Sequence, residues 1–383
     1  MKLQRIRIKR FKVFKNTEIQ NLPNLCVFLG ANGSGKSSLF DIFGFLSDAV
    51  KYDVSTALGR RGGFTEIISR EQTGDIEFEI GFRNLAADVT YALSIALDDN
   101  HPLIRKEMLL SGEYELLNFR NGRGTAISDE EECEVGKLGK TEEQILDAPD
   151  IPALKGLGQF RRFRTAASLR KLLENWHISD FDIHEARMTR SARVEKHLTP
   201  EGDNLAYFAH HIYQSHRETF NEILGKMRKR IPGFSHAEPV EIVDGRVILQ
   251  FRDGRFNTPF TARHVSDGTL KLFAYLLLLH DPKPHPLLCI EEPENYLHPD
   301  LLPELAEEFR EHADRDGQVF VSTHSPEFVN ALKPEELFWL TKEEGFTSVS
   351  HAKDDPVIKS LYKAGDPLGY LWSQRYMKGG GPR

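Results

Sequence analysis

The sequence has few cysteines, no long apolar run and no excess of positive charge. Its three cysteines, Cys26, Cys133 and Cys289, form no Cys-x-x-Cys pair and have no histidine at ligand spacing. The longest apolar stretches, such as residues 273–279, are far shorter than the roughly 20 residues that cross a bilayer. The opening MKLQRIRIKRF lacks the apolar segment of a signal peptide. These absences predict a cytoplasmic protein with no membrane partner, in which Cys26 and Cys289 are buried in strands.

The composition is that of a folded globular protein. The chain has 383 residues, of which 40% are hydrophobic and 28% charged, a balance that excludes a wholly disordered chain. This length predicts two domains, or one domain with a large insertion. The formal net charge is -7, so contact with nucleic acid would depend on a local basic face.

The order of patterned segments divides the chain into three stretches. In the first stretch, residues 1–120, polar and apolar residues alternate as in β-strands up to an apolar strand that stops at Gly30. An amphipathic helix follows, and the later strand-like segments indicate an antiparallel sheet. Residues 121–234 begin with an acidic loop and become mainly helical, and residues 235–383 return to alternating strands and helices. The predicted fold class is α/β, with a flanking antiparallel β-sheet lobe and a mainly helical insertion. The predicted helix is 36–50, the sheet strands are 75–82, 89–96 and 104–110, the acidic loop is 129–134, the helical region is 141–231 and the later strands are 240–242, 247–251 and 260–264.

A glycine-rich loop separates the first apolar strand from the first helix. Residues 30–37, GANGSGKS, match G-x-x-x-x-G-K-[ST] at every fixed position, a loop whose backbone N–H groups bind phosphate oxygens. Lys36 is predicted to reach the β and γ phosphates of ATP, and Ser37 to ligate Mg²⁺. A glycine-rich turn that only caps a helix is the alternative, but the flanking strand and helix favour the nucleotide loop. The predicted nucleotide-binding residues are Gly30, Ala31, Asn32, Gly33, Ser34, Gly35, Lys36, Ser37 and Ser38.

Carboxylates follow a second apolar strand. The run at 286–290 is suited to a buried parallel strand and leads into Glu291, Glu292 and Glu294. Because open α/β sheets bind ligands at the carboxyl ends of their strands, Glu291 is predicted to hold Mg²⁺ through its water. Glu292 is predicted to orient and deprotonate the attacking water. The alternative, a solvated acidic turn, accounts for Glu294 but not for the apolar run before it.

A histidine follows the third apolar strand. The strand at 319–322 leads into Thr323-His324-Ser325-Pro326. A lone histidine at a strand end is usually a satisfied polar residue. Its position after the carboxylates and before a new helix predicts instead that His324 contacts the γ phosphate and the attacking water. The predicted catalytic residues are therefore Glu292, His324 and Lys36.

A short polar segment precedes a long helix with an apolar face. By itself Ser266-Asp267-Gly268-Thr269 is a helix N-cap, a role in which Ser266 or Asp267 would serve. It also lies just upstream of the carboxylate strand.

Taken together and in this order, GANGSGKS, SDGT, CIEEPE and STHS resemble the motifs of ABC-type ATPase heads in the RecF-like and structural-maintenance-of-chromosomes (SMC) group. The resemblance is strongest to compact AAA family ATPases of bacterial defence and DNA-repair operons, and RIKRFKVFKNTEI and Arg61-Gly62-Gly63-Phe64 share it. It implies a P-loop ABC-ATPase fold whose nucleotide-binding domain is built from residues 1–120 and 235–383. It also implies that Ser266, Asp267 and Gly268 complete the γ-phosphate site of a second subunit, giving a homodimer or higher homo-oligomer through ATP.

The chain departs from the ABC pattern in two places. Glu291 stands where most ABC proteins have aspartate, and no glutamine loop is evident at 63–69. The second departure leaves unassigned the residue through which the sheet lobe senses nucleotide. Sustained heptads are also absent, so long coiled coils are not expected.

The resemblance implies an ATP-hydrolysing switch or clamp that acts on DNA or a partner effector in anti-phage defence or DNA repair. The alternative is a regulatory ATPase of a toxin or nuclease complex, with the effector encoded by a neighbouring gene and no direct DNA contact. A nuclease fused within the chain is disfavoured because Asp180-Phe181-Asp182 lacks a supporting metal constellation. A transporter ATPase is disfavoured because no LSGGQ-type signature is present. An inactive scaffold would show no ATP turnover.

Basic side chains are frequent in the helical region and have two interpretations. Arginines along helices usually form a solvated face, and acidic residues are interleaved with these. A DNA-binding surface is the other interpretation. The clusters are Arg161, Arg162, Arg164, Arg170 and Lys171; Arg187, Arg190 and Arg193; and Lys226, Arg228, Lys229 and Arg230.

Overall fold

The computed structural model describes residues 1–84, 87–128, 140–188, 196–256 and 258–377. The predicted acidic loop, Cys133, Arg190, Arg193 and the glycine-rich end of the chain lie outside these residues. Among the helices of the described ranges, none combines the length and the apolar character that crossing a bilayer requires.

The described residues form strands and helices throughout. The strands are β1 (Lys2–Phe11), β2 (Phe14–Ile19), β3 (Leu25–Leu29), β4 (Ile76–Arg83), β5 (Val89–Asp98), β6 (His101–Ser111), β7 (Tyr114–Arg120), β8 (Arg123–Ser128), β9 (Lys140–Ile145), β10 (His177–Ser179), β11 (Phe234–Glu241), β12 (Val247–Asp253), β13 (Phe260–Thr261), β14 (Leu287–Glu291), β15 (Gln318–Thr323), β16 (Leu337–Glu343) and β17 (Phe346–His351). The α-helices are α1 (Lys36–Lys51), α2 (Val54–Gly59), α3 (Phe64–Ile67), α4 (Ala153–Leu157), α5 (Arg164–Glu174), α6 (Ile183–Arg187), α7 (Leu205–Ser215), α8 (Arg217–Arg230), α9 (Asp267–Leu279), α10 (Leu302–Arg315), α11 (Pro326–Val329), α12 (Pro356–Lys363) and α13 (Leu368–Ser373).

A six-stranded sheet lies at the centre, in the order β10-β14-β15-β3-β16-β17. Its first five strands are parallel, and β17 pairs antiparallel with β16. Alternate residues of β3 enter two different apolar clusters: Cys26 and Phe28 pack with α1, whereas Val27 and Leu29 pack with α9 and α10. Because both faces are covered, the strand is apolar along its whole length, as the sequence predicted. The predicted burial of Cys26 and Cys289 is also confirmed.

An antiparallel sheet of eight strands, in the order β2-β1-β4-β5-β6-β7-β8-β9, packs beside this core. The strands predicted at 75–82, 89–96 and 104–110 are confirmed as β4, β5 and β6. The sheet continues past residue 120, however, and 140–145 forms an edge strand in a region where helix was expected from 141. All its side chains are exposed or half-exposed, so it lacks the apolar face that would have revealed a strand in the sequence.

The middle of the chain is mainly helical, as predicted, but it also contributes to the central sheet. Helices α4 to α8 lie between Ala153 and Arg230. Strand β10 interrupts them and pairs in parallel with β14. Strands β11, β12 and β13 form a separate antiparallel sheet. The strand predicted at 260–264 ends at Thr261, because Ala262–His264 turn into one 3-10 turn before α9.

Two polar side chains connect the antiparallel sheet to the central one. Gln318 on β15 accepts a hydrogen bond from Leu3 N at 2.6 Å and donates one to Leu3 O at 2.9 Å, so its amide imitates the pairing of another strand. Thr347 on β17 donates its hydroxyl to Ser34 O at 2.8 Å, and its N–H donates to Val13 O at 2.8 Å. Thr347 thus connects the glycine-rich loop to the turn between β1 and β2.

A buried carboxyl group joins the antiparallel sheet to α4. Glu107 on β6 is only 1% exposed. It accepts hydrogen bonds from Ala153 N at 2.6 Å, Leu154 N at 2.9 Å and the hydroxyl of Tyr91 at 2.9 Å. Burial raises the pKa of Glu107 from 4.5 to about 7, and the three donors act in the opposite direction.

The raised pKa of Glu107 predicts that stability decreases between pH 5 and pH 8. In this range the folded chain retains a proton that the unfolded chain has released, so the free energy of unfolding falls as pH rises. The full effect is about 3 kcal/mol. Urea denaturation at several pH values should show this decrease in the wild type and not in Glu107→Gln. The exposed Glu143→Gln is the control, and equal pH dependence in Glu107→Gln and the wild type would contradict the assignment.

Candidate nucleotide site

The glycine-rich loop connects the end of β3 to the start of α1. Gly35 has φ 107°, and a Cβ there would lie 2.7 Å from the hydroxyl of Thr347, so a side chain is excluded by both conformation and space. A Cβ at Gly30 would lie 2.3 Å from Ser34 Oγ. Ser34 Oγ is itself buried and has no hydrogen-bond partner among the described residues. The loop therefore has the close-wound backbone that phosphate binding requires.

Lys36 extends from the first turn of α1 between the loop and the carboxylates. Its Nζ donates to Gly30 O at 2.8 Å and lies 3.8 Å from Glu292 Oε1. Burial lowers the pKa of Lys36, and the nearby carboxylates, Glu292 first, oppose that shift. The ammonium group thus faces the space enclosed by the loop.

Ser37 and Glu291 provide oxygen atoms that fit a magnesium ion. Ser37 Oγ donates to Glu291 Oε2 at 2.6 Å, although the two residues are 254 positions apart. Burial raises the pKa of Glu291, and the hydrogen bond from Ser37 opposes the rise. A hydroxyl and one carboxylate are the few hard ligands with which Mg²⁺ is usually held beside phosphates, because the ion keeps several waters.

Glu292 occupies a strained position directly after β14. Its φ is 43°, in the left-handed region that non-glycine residues rarely adopt. Its N–H donates to Ser322 O at 2.9 Å, and Asn295 Nδ2 donates to Glu292 Oε2 at 3.2 Å. The other carboxylate oxygen, Oε1, lies 3.3 Å from His324 Nδ1. These contacts direct the carboxylate towards Lys36 and His324, and strained residues of this kind cluster at active sites.

His324 is held by a carboxylate whose role the sequence did not reveal. Its Nδ1 lies 3.3 Å from Glu294 Oε1, and its N–H donates to the same oxygen at 2.9 Å. Thr323 Oγ1 also donates to Glu294, at 2.7 Å. The Glu294 side chain is only 8% exposed, so the interpretation of this residue as part of a solvated turn is wrong. The sequence alone identified Glu294 only as a third acid in the turn.

Ser266, Asp267 and Gly268 lie at the start of α9. Ser266 is the N-cap, since its Oγ accepts a hydrogen bond from Thr269 N at 3.2 Å. A Cβ on Gly268 would lie 2.6 Å from Tyr296 O, so glycine allows α9 to pack against the segment that follows Glu292. A cleft of about 1470 Å³ is lined by Ser37, Glu291 and Glu292. Within the part of the chain that the structure describes, the segment 266–268 does not line this cleft.

Two basic residues, Arg187 and Lys271, position the start of α9, a role that the sequence did not reveal. Arg187 donates to Val265 O at 2.7 Å and also binds Ala262 O and the Asp267 carboxylate. In the sequence, Arg187 was interpreted as part of a basic face. Lys271 is 4% exposed and donates to Glu292 O at 3.3 Å and to Asn295 O at 3.0 Å. Burial lowers its pKa to about 8. In the sequence, the only sign of this role was a lysine among the apolar residues of a helix.

Arg61 belongs to the segment Arg61-Gly62-Gly63-Phe64, which shares the family resemblance. Its guanidinium binds Asp41 and Asp48 of α1, the latter at 2.8 Å. A Cβ on Gly44 would lie 2.9 Å from Arg61 Nη2, so glycine makes room for the guanidinium. Arg61 therefore fixes the helix that begins with Lys36.

The chain has relatives in sequence. A model of the family described as "AAA domain, putative AbiEii toxin, Type IV TA system" matches residues 25–330. A protein named ATP/GTP phosphatase from Helicobacter pylori (strain ATCC 700392 / 26695) is 24% identical over 348 residues, which are 86% of this chain and 87% of that protein.

Solved structures share the fold. A Smc head domain from Pyrococcus furiosus, with an extended coiled coil and bound to the C-terminal domain of ScpA, aligns with a TM-score of 0.57 at 12% identity, over 95% of this chain and 100% of that one. An Smc head bound to the C-winged helix domain of ScpA aligns with a TM-score of 0.56 at 16% identity, over 91% of this chain and 97% of that one. These matches confirm the α/β fold of an SMC-like ATPase head that the motifs implied. With the family match covering most of its length, the chain belongs to the AAA domain family described as putative AbiEii toxins of type IV toxin–antitoxin systems.

Proposed function

We propose that this protein is an ATP-hydrolysing switch in which two copies close on each other around two Mg-ATP. The observation that carries the proposal is the convergence of three pairs at one edge of the central sheet. Lys36 lies beside the loop carbonyls, Ser37 is bonded to Glu291, and Glu292 contacts His324. A loop that only binds nucleotide would not require the contact between Glu292 and His324, which suits hydrolysis.

Each group has a role in phosphoryl transfer to water. The loop N–H groups and Lys36 bind the phosphates, and Ser37 and Glu291 hold Mg²⁺, which when bound neutralises phosphate charge. Glu292 orients the attacking water and accepts its proton. His324 contacts the γ phosphate, and Glu294 keeps its ring in place through the 3.3 Å contact at Nδ1.

The start of α9 supports a composite site completed by a second copy. Ser266 does not line the cleft of its own chain among the described residues, and its segment lies at the N-terminus of a 13-residue helix. Such an end carries unpaired N–H groups and a partial positive charge that suit a terminal phosphate.

The composite site predicts that Glu292→Gln accumulates as an ATP-bound dimer, because nucleotide closes the two chains and hydrolysis no longer opens them. Size-exclusion chromatography with light scattering, with and without Mg-ATP, measures this. Adding Ser266→Arg to Glu292→Gln should restore the monomer while each chain still binds ATP. A Glu292→Gln chain that stays monomeric at saturating ATP would refute the closure.

A mixture of two inactive variants tests whether Ser266 completes the nucleotide site of the other chain. Lys36→Ala lacks a working phosphate loop but keeps Ser266, and Ser266→Arg has the reverse combination. A mixed dimer contains one complete site, so mixing should recover ATP turnover that neither variant has alone. No recovery on mixing would mean that Ser266 serves its own chain.

Lys271 supports a mechanical link between α9 and Glu292. It stands on α9 and donates to the backbone of Glu292 and Asn295. A displacement of α9 on closure would thus be transmitted to the strained backbone at Glu292. The rings of Tyr275 and Tyr296 flank the ammonium group at 5.5 and 5.7 Å from their centroids.

Lys271→Met is expected to reduce ATP turnover by about tenfold to 100-fold, since misplacing a reacting group by a fraction of an ångström has effects of this size. The affinity for nucleotide, measured by a fluorescent ATP analogue, should stay close to that of the wild type because the loop is intact. Lys359→Met, an exposed helical lysine, is the matched control. Equal losses of affinity and turnover would indicate a general structural role instead.

DNA is a second candidate partner, supported by one exposed surface. Several members of the basic clusters that the structure describes form ion pairs within the chain: Arg170 with Glu174, Arg187 with Asp267, Lys226 with Glu308, and Arg230 with Glu304 and Glu308. At the start of α5, Arg161 and Arg164 are exposed beside Phe160, whose side chain is 56% exposed. Arg162 is exposed as well and forms a 3.4 Å ion pair with Glu142. Cations beside an exposed aromatic ring suit single strands of nucleic acid.

Replacing Arg161, Arg162 and Arg164 together with alanine should weaken DNA binding and reduce its dependence on salt by about two to three units of log–log slope. Fluorescence anisotropy at several salt concentrations measures both. The exposed pair Arg120→Ala with Arg123→Ala is the control. Salt-independent or unchanged binding would favour the alternative function, in which the switch regulates a toxin-like or nuclease effector from a neighbouring gene in defence or repair. The ScpA bound to the Smc heads of the two similar structures supports such a protein partner.

A further inference from the structure

Three potential metal-ligating side chains, His197, Asp281 and His285, lie together and share no residue with the nucleotide site, and the two histidines line the same cleft. Asp281 follows the C-terminal end of α9, His285 precedes β14, and His197 belongs to the segment before α7. One potential ligand atom from each residue lies within 4.8 Å of the other two. His197 and His285 are 88 positions apart in the chain, so only the fold brings the cluster together.

Asp281 is the anionic member of the cluster. Its side chain is 2% exposed, and its Oδ2 lies 2.7 Å from His197 Nδ1. Its other oxygen accepts a hydrogen bond from Lys283 N at 2.8 Å. A carboxylate buried to this extent requires a cation or several donors beside it.

His285 has one ring nitrogen that is bonded to a backbone carbonyl and one that is free within the described part of the chain. Its Nδ1 lies 3.0 Å from Asn175 O. Because a carbonyl can only accept, Nδ1 carries the proton and Nε2 carries a lone pair. That Nε2 is buried and has no hydrogen-bond partner among the described residues. A backbone carbonyl that fixes the tautomer of a histidine in this way is the usual outer partner of a metal ligand.

Further imidazole rings pack closely around His285. The ring of His177, 95% buried, packs 4.7 Å from that of His285, and the His177 Nε2 likewise has no partner among the described residues. His197 packs 4.7 Å from His285 on its own side.

We propose that His197, Asp281 and His285 bind a divalent transition metal ion of the Zn²⁺ class. Two imidazoles and one carboxylate are the ligands of a zinc site that keeps a fourth position for water, and both histidines here line the cleft. Mg²⁺ prefers oxygen ligands, so this site and the Ser37–Glu291 pair select different ions. The bound ion would connect the segment after α9 to the start of β14.

Metal-free protein without nucleotide provides the test. Titration with Zn²⁺ in competition with a chromophoric chelator, and with Co²⁺ followed by its visible d–d absorption, should show one site per chain. His197→Gln and His285→Gln should each weaken binding at least about tenfold, since even outer partners of ligands cost that much. His101→Gln, an exposed histidine of β6, and Glu291→Gln in the nucleotide site should bind as the wild type does.

X-ray absorption on the zinc-loaded wild type requires no variant and should show imidazole nitrogen in the first coordination sphere. Zinc should also raise the Tm of the wild type and leave that of His285→Gln unchanged. A wild type that binds no Zn²⁺, a spectrum without imidazole, or unchanged binding in both histidine variants would overturn the site and leave His197 only as a hydrogen-bond partner of Asp281. None of these results depends on whether the chain hydrolyses ATP.

Discussion

The candidate site depends on the register of three buried parallel strands. Leu29, the last residue of β3, is opposite Thr323 of β15, and Ser322 is opposite Glu291, the last residue of β14. The residues that come next in each strand therefore meet at one edge of the sheet. A shift of one residue in any pair would turn its side chains to the opposite face and separate the loop from the carboxylates. The apolar packing on both faces of the sheet is thus what aligns the polar chemistry.

The parts of the fold that the sequence revealed have strong local patterns. The phosphate loop has a strict spacing, and β14 and β15 are unbroken apolar runs ending in polar residues, so their order along the chain was sufficient to place them. Strand β9 has no such pattern, because both of its faces carry polar side chains and only pairing with β8 defines it. Strand β10 is three residues long, too short for periodicity to distinguish from the helices around it.

Within the site, motif residues were predictable and their supports were not. Lys36, Glu292 and His324 belong to recognisable segments, but Glu294, Lys271 and Arg187 act through contacts between segments far apart in the chain. From the sequence alone, Glu294 fits a solvated turn and Arg187 fits a basic face, although their side chains are only 8% and 16% exposed in the fold. Charge alone does not reveal whether a side chain has a partner, since that depends on which backbone carbonyls the fold brings to it.

The left-handed backbone at Glu292 restricts which residues can occupy that position. A side chain branched at Cβ would clash with its own carbonyl at φ 43°, and aspartate, which tolerates this conformation, would withdraw the carboxylate from His324 by one methylene. Glutamine preserves both the length and the backbone preference. Natural variation at this position is therefore limited by geometry as well as by acidity, and a chain that lost the acid could keep the shape of the turn.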